Sequence, residues 1–511
     1  MRKSLLRSSG IFAANTLLSR VLGFVRDMVI GVIFGVVAGT DAFYVAFKIP
    51  NFLRRLFAEG AFSQSFVPVL SEYEATKTPA ESRHFLNAMA GALSTVLFMT
   101  TVLAMLGAPW LVHVFAPGFV VGGARFVLTA HMLVITFPYI FFISLTAFAA
   151  AVLNTQRVFG PPAFTPVILN VCLIVAALWG APHFHLGIIA VAWGVFFAGI
   201  LQLLFQIPFL MRVKRLPKPT FRWRDPGVRR VLKLMVPALF GVSVSQINLL
   251  IDTLFASFLM VGSVSWLYYS SRLMNFPLGV FGVAISTVIL PTLATQRATQ
   301  DEAAYQNTLD WALRSILLVA LPSMLGLLFL AGPLLTTLFH YGAFSLRDVV
   351  MASRSLWCFA VGIPAFMLIK VLVSGFYARQ DMKTPVKIGV IAMVSNIVLI
   401  CLLIKPLAHA GLALATSVSA YINAACLFVV LHRRQLFRPA SGWCLFVGKV
   451  LLACVAMTAV IWLWHMPLSQ WAAHHAGWRL SHLLGAVGVA AIVYLGVLWL
   501  LGLRIKDLKQ A

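Results

Sequence analysis

The sequence predicts an all-α polytopic membrane protein with about 14 transmembrane helices. Two pseudo-twofold six-helix bundles are expected, followed by two C-terminal helices. Of the 511 residues, 61% are hydrophobic and 10% are charged, whereas about 25% of residues are charged in an average soluble domain. The apolar residues form runs of about 20, the length that a helix needs to cross a bilayer core. The chain also repeats itself at a fixed offset. This composition excludes a soluble globule and a disordered chain.

The spans follow from the apolar runs, taken in chain order. They are predicted near residues 10–35, 41–57, 86–111, 127–153, 163–181, 186–210, 234–260, 264–292, 311–339, 349–376, 386–404, 409–431, 443–464 and 481–502.

Basic residues determine the predicted orientation. If the N-terminus is cytoplasmic, most loop lysines and arginines lie inside, and the outer segments hold only Arg125, Arg347, Lys405 and Arg479. This asymmetry is the positive-inside pattern of membrane proteins. It predicts cytoplasmic N- and C-termini, and it accounts for the net charge of +25 without a nucleic-acid partner.

An internal repeat divides the chain. At an offset of 224 residues, Tyr44 matches Tyr268, Lys48 matches Arg272 and Asn51 matches Asn275. The predicted organisation is a first bundle over 1–215, a basic cytoplasmic linker over 216–233, a second bundle over 234–435, and two extra spans within 436–511. Six spans in each half give both halves the same orientation. Parallel repeats of this kind are typical of transporters, with the substrate site between the halves.

Several charged and polar residues fall within predicted spans, although a charge at mid-bilayer costs about 2.5–3.5 kcal/mol. We therefore expect them to face water, a partner or a cargo. A cavity with an excess of Arg and Lys favours an anionic cargo, because guanidinium and ammonium groups bind phosphate oxygens. The candidate binding residues are Arg20, Arg26, Asp41, Lys48, Asn51, Arg54, Arg55, Arg272 and Asn275.

Plainer interpretations stay open for some of these residues. Arg26 and Asp27 could pair with neighbouring helices and only fix packing, while Arg54 and Arg55 could be topogenic residues at a span end. Asp310 and Arg314, four residues apart on a helix, are expected to form only a local ion pair. The histidines show no metal-ligand spacing, so no metal site is expected.

Four sequence blocks resemble one family. They are SRVLGFVRD over 19–27, TDAFYVAFKIPNFLRRLFAEGAFSQ over 40–64, GSVSWLYYSSRLMNFP over 262–277 and GFYARQDMKTPVK over 375–387. Together they are similar to the MurJ (MviN) family, which belongs to the multidrug/oligosaccharidyl-lipid/polysaccharide exporter superfamily. The family comprises bacterial flippases for lipid II, the undecaprenyl-pyrophosphate-linked disaccharide-pentapeptide precursor of peptidoglycan.

The resemblance implies a central cationic cavity built from Arg20, Arg26, Arg54 and Arg272, with Asp41 as its acidic member. It also implies that the last two spans form a groove for the lipid tail. In the eighth-span motif, relatives often carry acidic residues where this chain has Ser271 and Asn275. Some relatives are thought to bind sodium among the later spans, a role for which Asp252 is the candidate here.

The implied function is to flip lipid II from the inner to the outer leaflet of the bacterial inner membrane, by alternating access, for peptidoglycan biosynthesis and cell shape. Lipid II and membrane lipids are the expected partners. No cofactor is expected, and either the membrane potential or a monovalent cation could drive the cycle. Two alternatives stay open: a flippase for another polyprenyl-pyrophosphate-linked glycan, and a cation-coupled multidrug exporter of the same superfamily. An intramembrane enzyme is disfavoured because the acidic residues of this chain are too few and too scattered to form a catalytic cluster.

Overall fold

The fold is helical throughout the part of the chain that the computed structural model describes. That part is residues 2–503, with side chains described outside 2–13, 57–59, 238, 240–245 and 248–249, and it contains no strand. The predicted all-α class is confirmed.

The chain up to residue 212 forms nine α-helices and three shorter helical segments. They are α1 (Arg2–Phe34), α2 (Ala38–Leu53), a π-helical segment (Arg54–Phe62), α3 (Ser63–Thr76), α4 (Pro79–Leu106), α5 (Ala108–Phe115), α6 (Ala124–Thr136), α7 (Tyr139–Thr155), α8 (Gly160–Val175), a π-helical segment (Ala176–Gly180), a 3₁₀ turn (Ala181–His183) and α9 (Ile188–Arg212).

The remainder of the described chain forms ten α-helices and one π-helical segment. They are α10 (Pro226–Ser257), α11 (Ser263–Pro277), a π-helical segment (Leu278–Gly282), α12 (Val283–Ala298), α13 (Glu302–Phe339), α14 (Leu346–Val361), α15 (Ile363–Ala378), α16 (Lys383–Arg433), α17 (Trp443–Leu463), α18 (Leu468–Ala473) and α19 (Ala476–Leu500).

Among the described residues, nine helical stretches are long and apolar enough to cross a membrane. A tenth is reached if α14 and α15, which meet at a bend of 40°, form one span. Helix α16 covers two predicted spans. Ala408 breaks the helix between them, with φ 49° and ψ −127°. The first, second and seventh predicted spans coincide with α1, α2 and α10. The fold is therefore compatible with about 14 spans, and that count stays a prediction.

The order of the helices repeats at the offset seen in the sequence. The π-helical segment that begins at Arg54 in the first repeat is matched by one that begins 224 residues later, at Leu278. A π segment widens the helical turn and is often found at functional sites. The two repeats thus share the same distortion of the same helix.

By their internal contacts, the residues form two compact units, one ending at Val264 and one beginning at Ser265. In the first unit, α1 packs on α8, α8 on α9 and α7 on α9. The stacked rings of Phe62, Phe66 and Phe85, with the tilted ring of Phe148 against Phe66, form the centre of a core cluster that includes residues of α3 and α4. Helix α10 belongs to this unit, since it packs on α3, α4 and the first π segment.

The basic linker before α10 is fastened to α4. Asn87 accepts hydrogen bonds from the backbone N–H of Lys218 at 2.7 Å and of Thr220 at 3.0 Å. Gly91 lets the linker approach, because a Cβ there would lie 2.1 Å from the Thr220 carbonyl oxygen. Asp225 then caps α10 by accepting from the N–H of Gly227 at 2.8 Å. These contacts hold α10 against the first unit.

In the second unit, α13 packs on α14 and α15, and α16 packs on α14 and α15. The C-terminal helices α17 and α19 pack on each other and on α13, through a core that includes Val450, Cys454 and Tyr494.

The predicted ion pair between Asp310 and Arg314 is confirmed, with Arg314 Nε at 2.7 Å from Asp310 Oδ2. It is not only a local pair. Asp310 Oδ1 also accepts from Trp443 Nε1 at 2.7 Å, and Arg314 donates to the Ser441 carbonyl at 3.2 Å. A carboxylate has two oxygens that accept independently, so one pair can join α13 to the start of α17.

Candidate functional site

Arg26 and Asp27 lie buried where α1 packs on α8. Arg26 Nε donates to Asp27 Oδ1 at 2.9 Å, and Arg26 Nη1 donates to Asn170 Oδ1 at 3.2 Å. Asn170 in turn donates to the Ser19 carbonyl at 3.0 Å. Arg26 is 6% exposed and Asp27 is fully buried. This cluster supports the packing interpretation for Arg26, because its buried guanidinium joins α1 to Asn170 of α8.

Lys48 reaches from α2 to α10. Its ammonium group donates a hydrogen bond to Thr253 Oγ1, and it also interacts electrostatically with Asp252 and Arg55. Asp252 of α10 is therefore an electrostatic partner of Lys48. Among the described residues, no group of three or more His, Cys, Asp or Glu side chains is arranged to hold a metal ion.

Asp41 holds the far end of α10 through the turn that follows it. Its Oδ2 accepts from the backbone N–H of Gly262 at 2.7 Å, and Asp41 is fully buried. Gly262 has φ +100°, a backbone conformation that glycine adopts more readily than other residues. Two more bonds lie at this end: Gly118 N–H to Ser257 Oγ at 2.9 Å, and Arg125 Nη1 to the Leu259 carbonyl at 3.2 Å.

The remaining polar residues of the second predicted span are increasingly exposed along the helix. Tyr44 is buried, Lys48 and Asn51 are half-buried, and Arg55 is exposed. Arg54 donates from Nε to Asn51 Oδ1 at 3.1 Å and begins the π segment. Arg20 lies exposed on α1.

Arg54 also lines a cavity of about 270 Å³ inside the first unit. The first π segment, α3, α7, α8 and α9 contribute its walls. Its polar lining comprises Arg54, Ser63, Tyr139, Thr146, Asn154, Thr165, Gln202 and Gln206. Gln202 and Gln206 are not among the residues predicted from the sequence, although two glutamines four residues apart in an apolar span are a visible signal. Asn170 and Thr253 are not among them either, because a single uncharged polar side chain gives no such signal.

In the second unit, Arg272 is half-buried on α11, with its guanidinium carbon 5.9 Å from the centre of the Tyr268 ring. Asn275 is exposed and donates to the Ser271 carbonyl one turn earlier at 2.7 Å. Asp41, Lys48 and Asn51 thus lie in order along α2, and Arg54 begins the π segment that continues it. Arg272 and Asn275 lie in a separate helix of the second unit.

Apolar helices of membrane-spanning length that keep charged side chains inside the protein define a polytopic membrane protein. Residues 30–481 match the family model described as "Lipid II flippase MurJ". The chain belongs to the MurJ family, and it is a transporter and not an enzyme.

Relatives support the same assignment. The "Probable lipid II flippase MurJ" of Haemophilus influenzae is 48% identical over 502 residues, covering 96% of this chain and 98% of the relative. A solved "Lipid II flippase MurJ, inward closed conformation" is 30% identical with a TM-score of 0.81, covering 95% of this chain and 97% of the other. A multidrug resistance MATE family transporter, solved in an inward-facing conformation, is 13% identical with a TM-score of 0.67, covering 81% and 94%. The last likeness shows a shared fold.

Proposed function

We propose that this protein moves lipid II from the inner to the outer leaflet of the bacterial inner membrane, by alternating access through a cationic cavity. Membership of the MurJ family supports lipid II as the cargo. The observation that carries the chemistry is Arg54, whose guanidinium lines a polar cavity inside the first unit. A diphosphate needs such groups because its charge is poorly solvated in hydrocarbon.

Arg20 and Arg55 are exposed, and Arg272 is half-buried. In our proposal these side chains are the ones that contact the diphosphate first. Arg26, held by Asp27 and Asn170, has a supporting role and positions α1 against α8.

The bonds at the Asp41 end of α10 suit a gate that opens and closes. Hydrogen bonds join Asp41 to Gly262, Ser257 to Gly118 and Arg125 to Leu259, each with a net worth of about 0.5–3 kcal/mol. In the predicted orientation this end faces outward. Breaking the three bonds would loosen the outer end of α10, while its packing on α3 and α4 holds the remainder of the helix, and the exit path would open at the loosened end.

The tail remains in the lipid phase while the head crosses. Exposed apolar side chains of α17 and α19, including Leu445, Val455 and Ile492, provide a surface for a polyprenyl chain. The membrane potential would supply the driving force, since one elementary charge moving through 100 mV is worth about 2.3 kcal/mol. An anionic head then moves outward favourably when the cytoplasm is negative.

The test is transport of fluorescent lipid II in proteoliposomes that contain the full chain. We expect Arg20→Ala with Arg272→Ala to slow delivery at least about tenfold, because each hydrogen bond to a charged group is worth about 1.5–3 kcal/mol. Arg20→Lys with Arg272→Lys retains the charge and should lose less. Arg347→Ala, an exposed arginine on α14, is the matched control and should transport normally.

Equal transport by the double alanine variant would end the proposal of a cationic cavity. Export of a cationic dye such as ethidium, without movement of lipid II, would instead favour a multidrug exporter. If the rate of lipid II transport does not change with a membrane potential of either sign, the potential is excluded as the driving force.

A further inference from the structure

The cavity inside the first unit contains two hydrogen-bond acceptors that the protein leaves unused. Gln202 and Gln206 lie one turn apart on α9 and are 1% and 0% exposed. Both line the cavity, and the Oε1 atom of each has no hydrogen-bond partner. Buried polar atoms are nearly always paired. These two oxygens therefore point to a ligand that supplies donors.

The neighbouring hydrogen bonds fix the orientation of both amides. Gln202 Nε2 donates to the Thr165 carbonyl at 2.9 Å, and Gln206 Nε2 donates to Thr165 Oγ1 at 2.9 Å. The Thr165 hydroxyl donates its hydrogen bond to the Pro161 carbonyl at 3.0 Å. In this arrangement it accepts a hydrogen bond from Gln206. Turning the Gln202 amide would place its oxygen against the Thr165 carbonyl oxygen, and turning the Gln206 amide would require the Thr165 hydroxyl to give up its hydrogen bond to Pro161. The surplus acceptors are thus a consequence of the network.

The charge of the lining selects the kind of donor. Among the lining residues whose side chains the structure describes, Arg54 carries the only formal charge. A cation would be repelled by this guanidinium, whereas an anionic group would be attracted to it. The ligand should therefore carry an anionic group beside uncharged hydroxyl or amide N–H donors.

The size of the cavity agrees with a ligand larger than one solvent molecule. Its volume of about 270 Å³ is several times the roughly 30 Å³ that a water occupies in the liquid. It approaches the lower end of small-molecule pockets, about 300 Å³. One sugar ring with its attached phosphate group at the mouth is a ligand of this size and chemistry.

We propose that this cavity is a binding subsite for a glycosyl phosphate, in which Arg54 contacts a phosphate oxygen while Gln202 and Gln206 accept hydrogen bonds from the sugar's hydroxyl or acetamido groups. The inference rests on the proposed function for its physiological ligand, the sugar next to the diphosphate of the lipid-linked head. It adds the residues that distinguish a glycosylated lipid from a bare polyprenyl diphosphate.

The experiment compares two lipids and one soluble probe. Binding of lipid II, of undecaprenyl diphosphate without sugars, and of N-acetylglucosamine 1-phosphate is measured on the full chain in nanodiscs. Gln202→Leu and Gln206→Leu should each weaken binding of lipid II and of the soluble probe by about 3- to 10-fold, since one neutral hydrogen bond is worth about 0.5–1.5 kcal/mol. Neither variant should change binding of undecaprenyl diphosphate.

Ala150→Leu tests the same cavity without disturbing the glutamines. Ala150 lines the opposite wall on α7 and is half-buried, so a larger side chain fills the space and leaves the hydrogen bonds of Thr165 intact. It should reproduce the selective loss. Leu204 lies between the two glutamines on α9, but its side chain is 53% exposed. Leu204→Ala is therefore the control and should bind all three probes normally. Melting temperatures confirm that each variant is folded.

Unchanged binding in all three cavity variants, or an equal loss for glycosylated and bare lipids, would overturn the subsite. Failure of the wild-type chain to bind lipid II, while it still binds N-acetylglucosamine 1-phosphate through Gln202 and Gln206, would refute the proposed function and keep the subsite. Failure to bind the soluble probe together with normal, glutamine-independent binding of lipid II would refute the subsite alone.

Discussion

The two repeats share a backbone but differ in charge. Both distort the same helix into a π segment, at Arg54 in the first repeat and at Leu278 in the second. Lys48 and Asn51 are matched by Arg272 and Asn275. In contrast, the positions equivalent to Arg26, Asp27, Asp41 and Arg54 are, in order, Leu250, Ile251, Ser265 and Leu278.

This difference teaches that the repeat carries the geometry, while the first copy carries most of the charge chemistry. The first repeat holds Arg26 on Asp27 and Asn170, Asp41 on Gly262, and Arg54 in a cavity wall. The second repeat has a half-buried Arg272 beside Tyr268 and an exposed Asn275. Variants at matched positions can therefore separate stability from transport.

The largest expected effect is on stability at the buried pair of the first repeat. Arg26→Met should lower the free energy of unfolding by about 3–5 kcal/mol, because it leaves the buried Asp27 without its arginine. Arg272→Met should lower it less, since a cation–π contact such as that of the half-buried Arg272 with Tyr268 is worth about 0.5–2 kcal/mol. Chemical denaturation in detergent measures both. Similar losses at the two positions would contradict the comparison.

Asp41 and Ser265 occupy equivalent positions of the two repeats. Asp41→Ala should remove about 1.5–3 kcal/mol by breaking its charged hydrogen bond to the Gly262 N–H, and hydrogen exchange of that amide should accelerate. Asp41→Asn keeps an acceptor and is the control. Ser265→Ala should have a smaller effect, within about 0.5–1.5 kcal/mol. Unchanged exchange at Gly262 in Asp41→Ala would show that the bond does not restrain this turn.

Arg54 and Leu278 test transport at the π segments. Arg54→Ala should reduce lipid II transport about tenfold, the effect of losing roughly 1.4 kcal/mol, while Arg54→Lys should recover part of it. Placing an arginine at the equivalent position, Leu278→Arg, should not rescue Arg54→Ala, because the proposed contact depends on the cavity of the first unit. Full rescue would mean that the two segments are interchangeable in charge.

The smallest expected effect is the pH dependence of stability. Each unit has a carboxylate near its surface with a lowered pKa, Glu72 in the first and Asp381 in the second. The hydrogen bond from Arg230 lowers the pKa of Glu72 below its ordinary value. Burial raises the pKa of Asp381, but hydrogen bonds from Thr384 and Arg434 outweigh it and leave that pKa below its ordinary value. A lowered pKa contributes stability above the ordinary pKa, and this is lost as the pH falls through the lowered value.

We therefore expect melting temperature to fall at acid pH, below about pH 4 for these carboxyl groups. Glu72→Gln and Asp381→Asn should each show a slightly smaller acid-induced fall than the wild type. The exposed pairs limit the size of both changes. A larger acid-induced fall in either variant would mean that the sign of its pKa shift is wrong.

The sequence by itself determined the helical membrane fold, the repeat and the candidate cations. Apolar runs and repeated residues are local patterns, and a bilayer permits few backbone solutions for them. The MurJ motifs likewise lie in continuous blocks of sequence, so they can be recognised from the sequence alone.

Only the tertiary structure decided which partner each polar side chain has. Arg26 meets Asn170 across 144 residues, Lys48 meets Thr253 across 205, and Asp41 meets Gly262 across 221. The unpaired Oε1 acceptors of Gln202 and Gln206 can be identified only in the structure, because Thr165 of another helix fixes the orientation of the two amides. Hydrogen bonds act over about 3 Å, and chain order does not reveal which distant residues the fold brings within that distance.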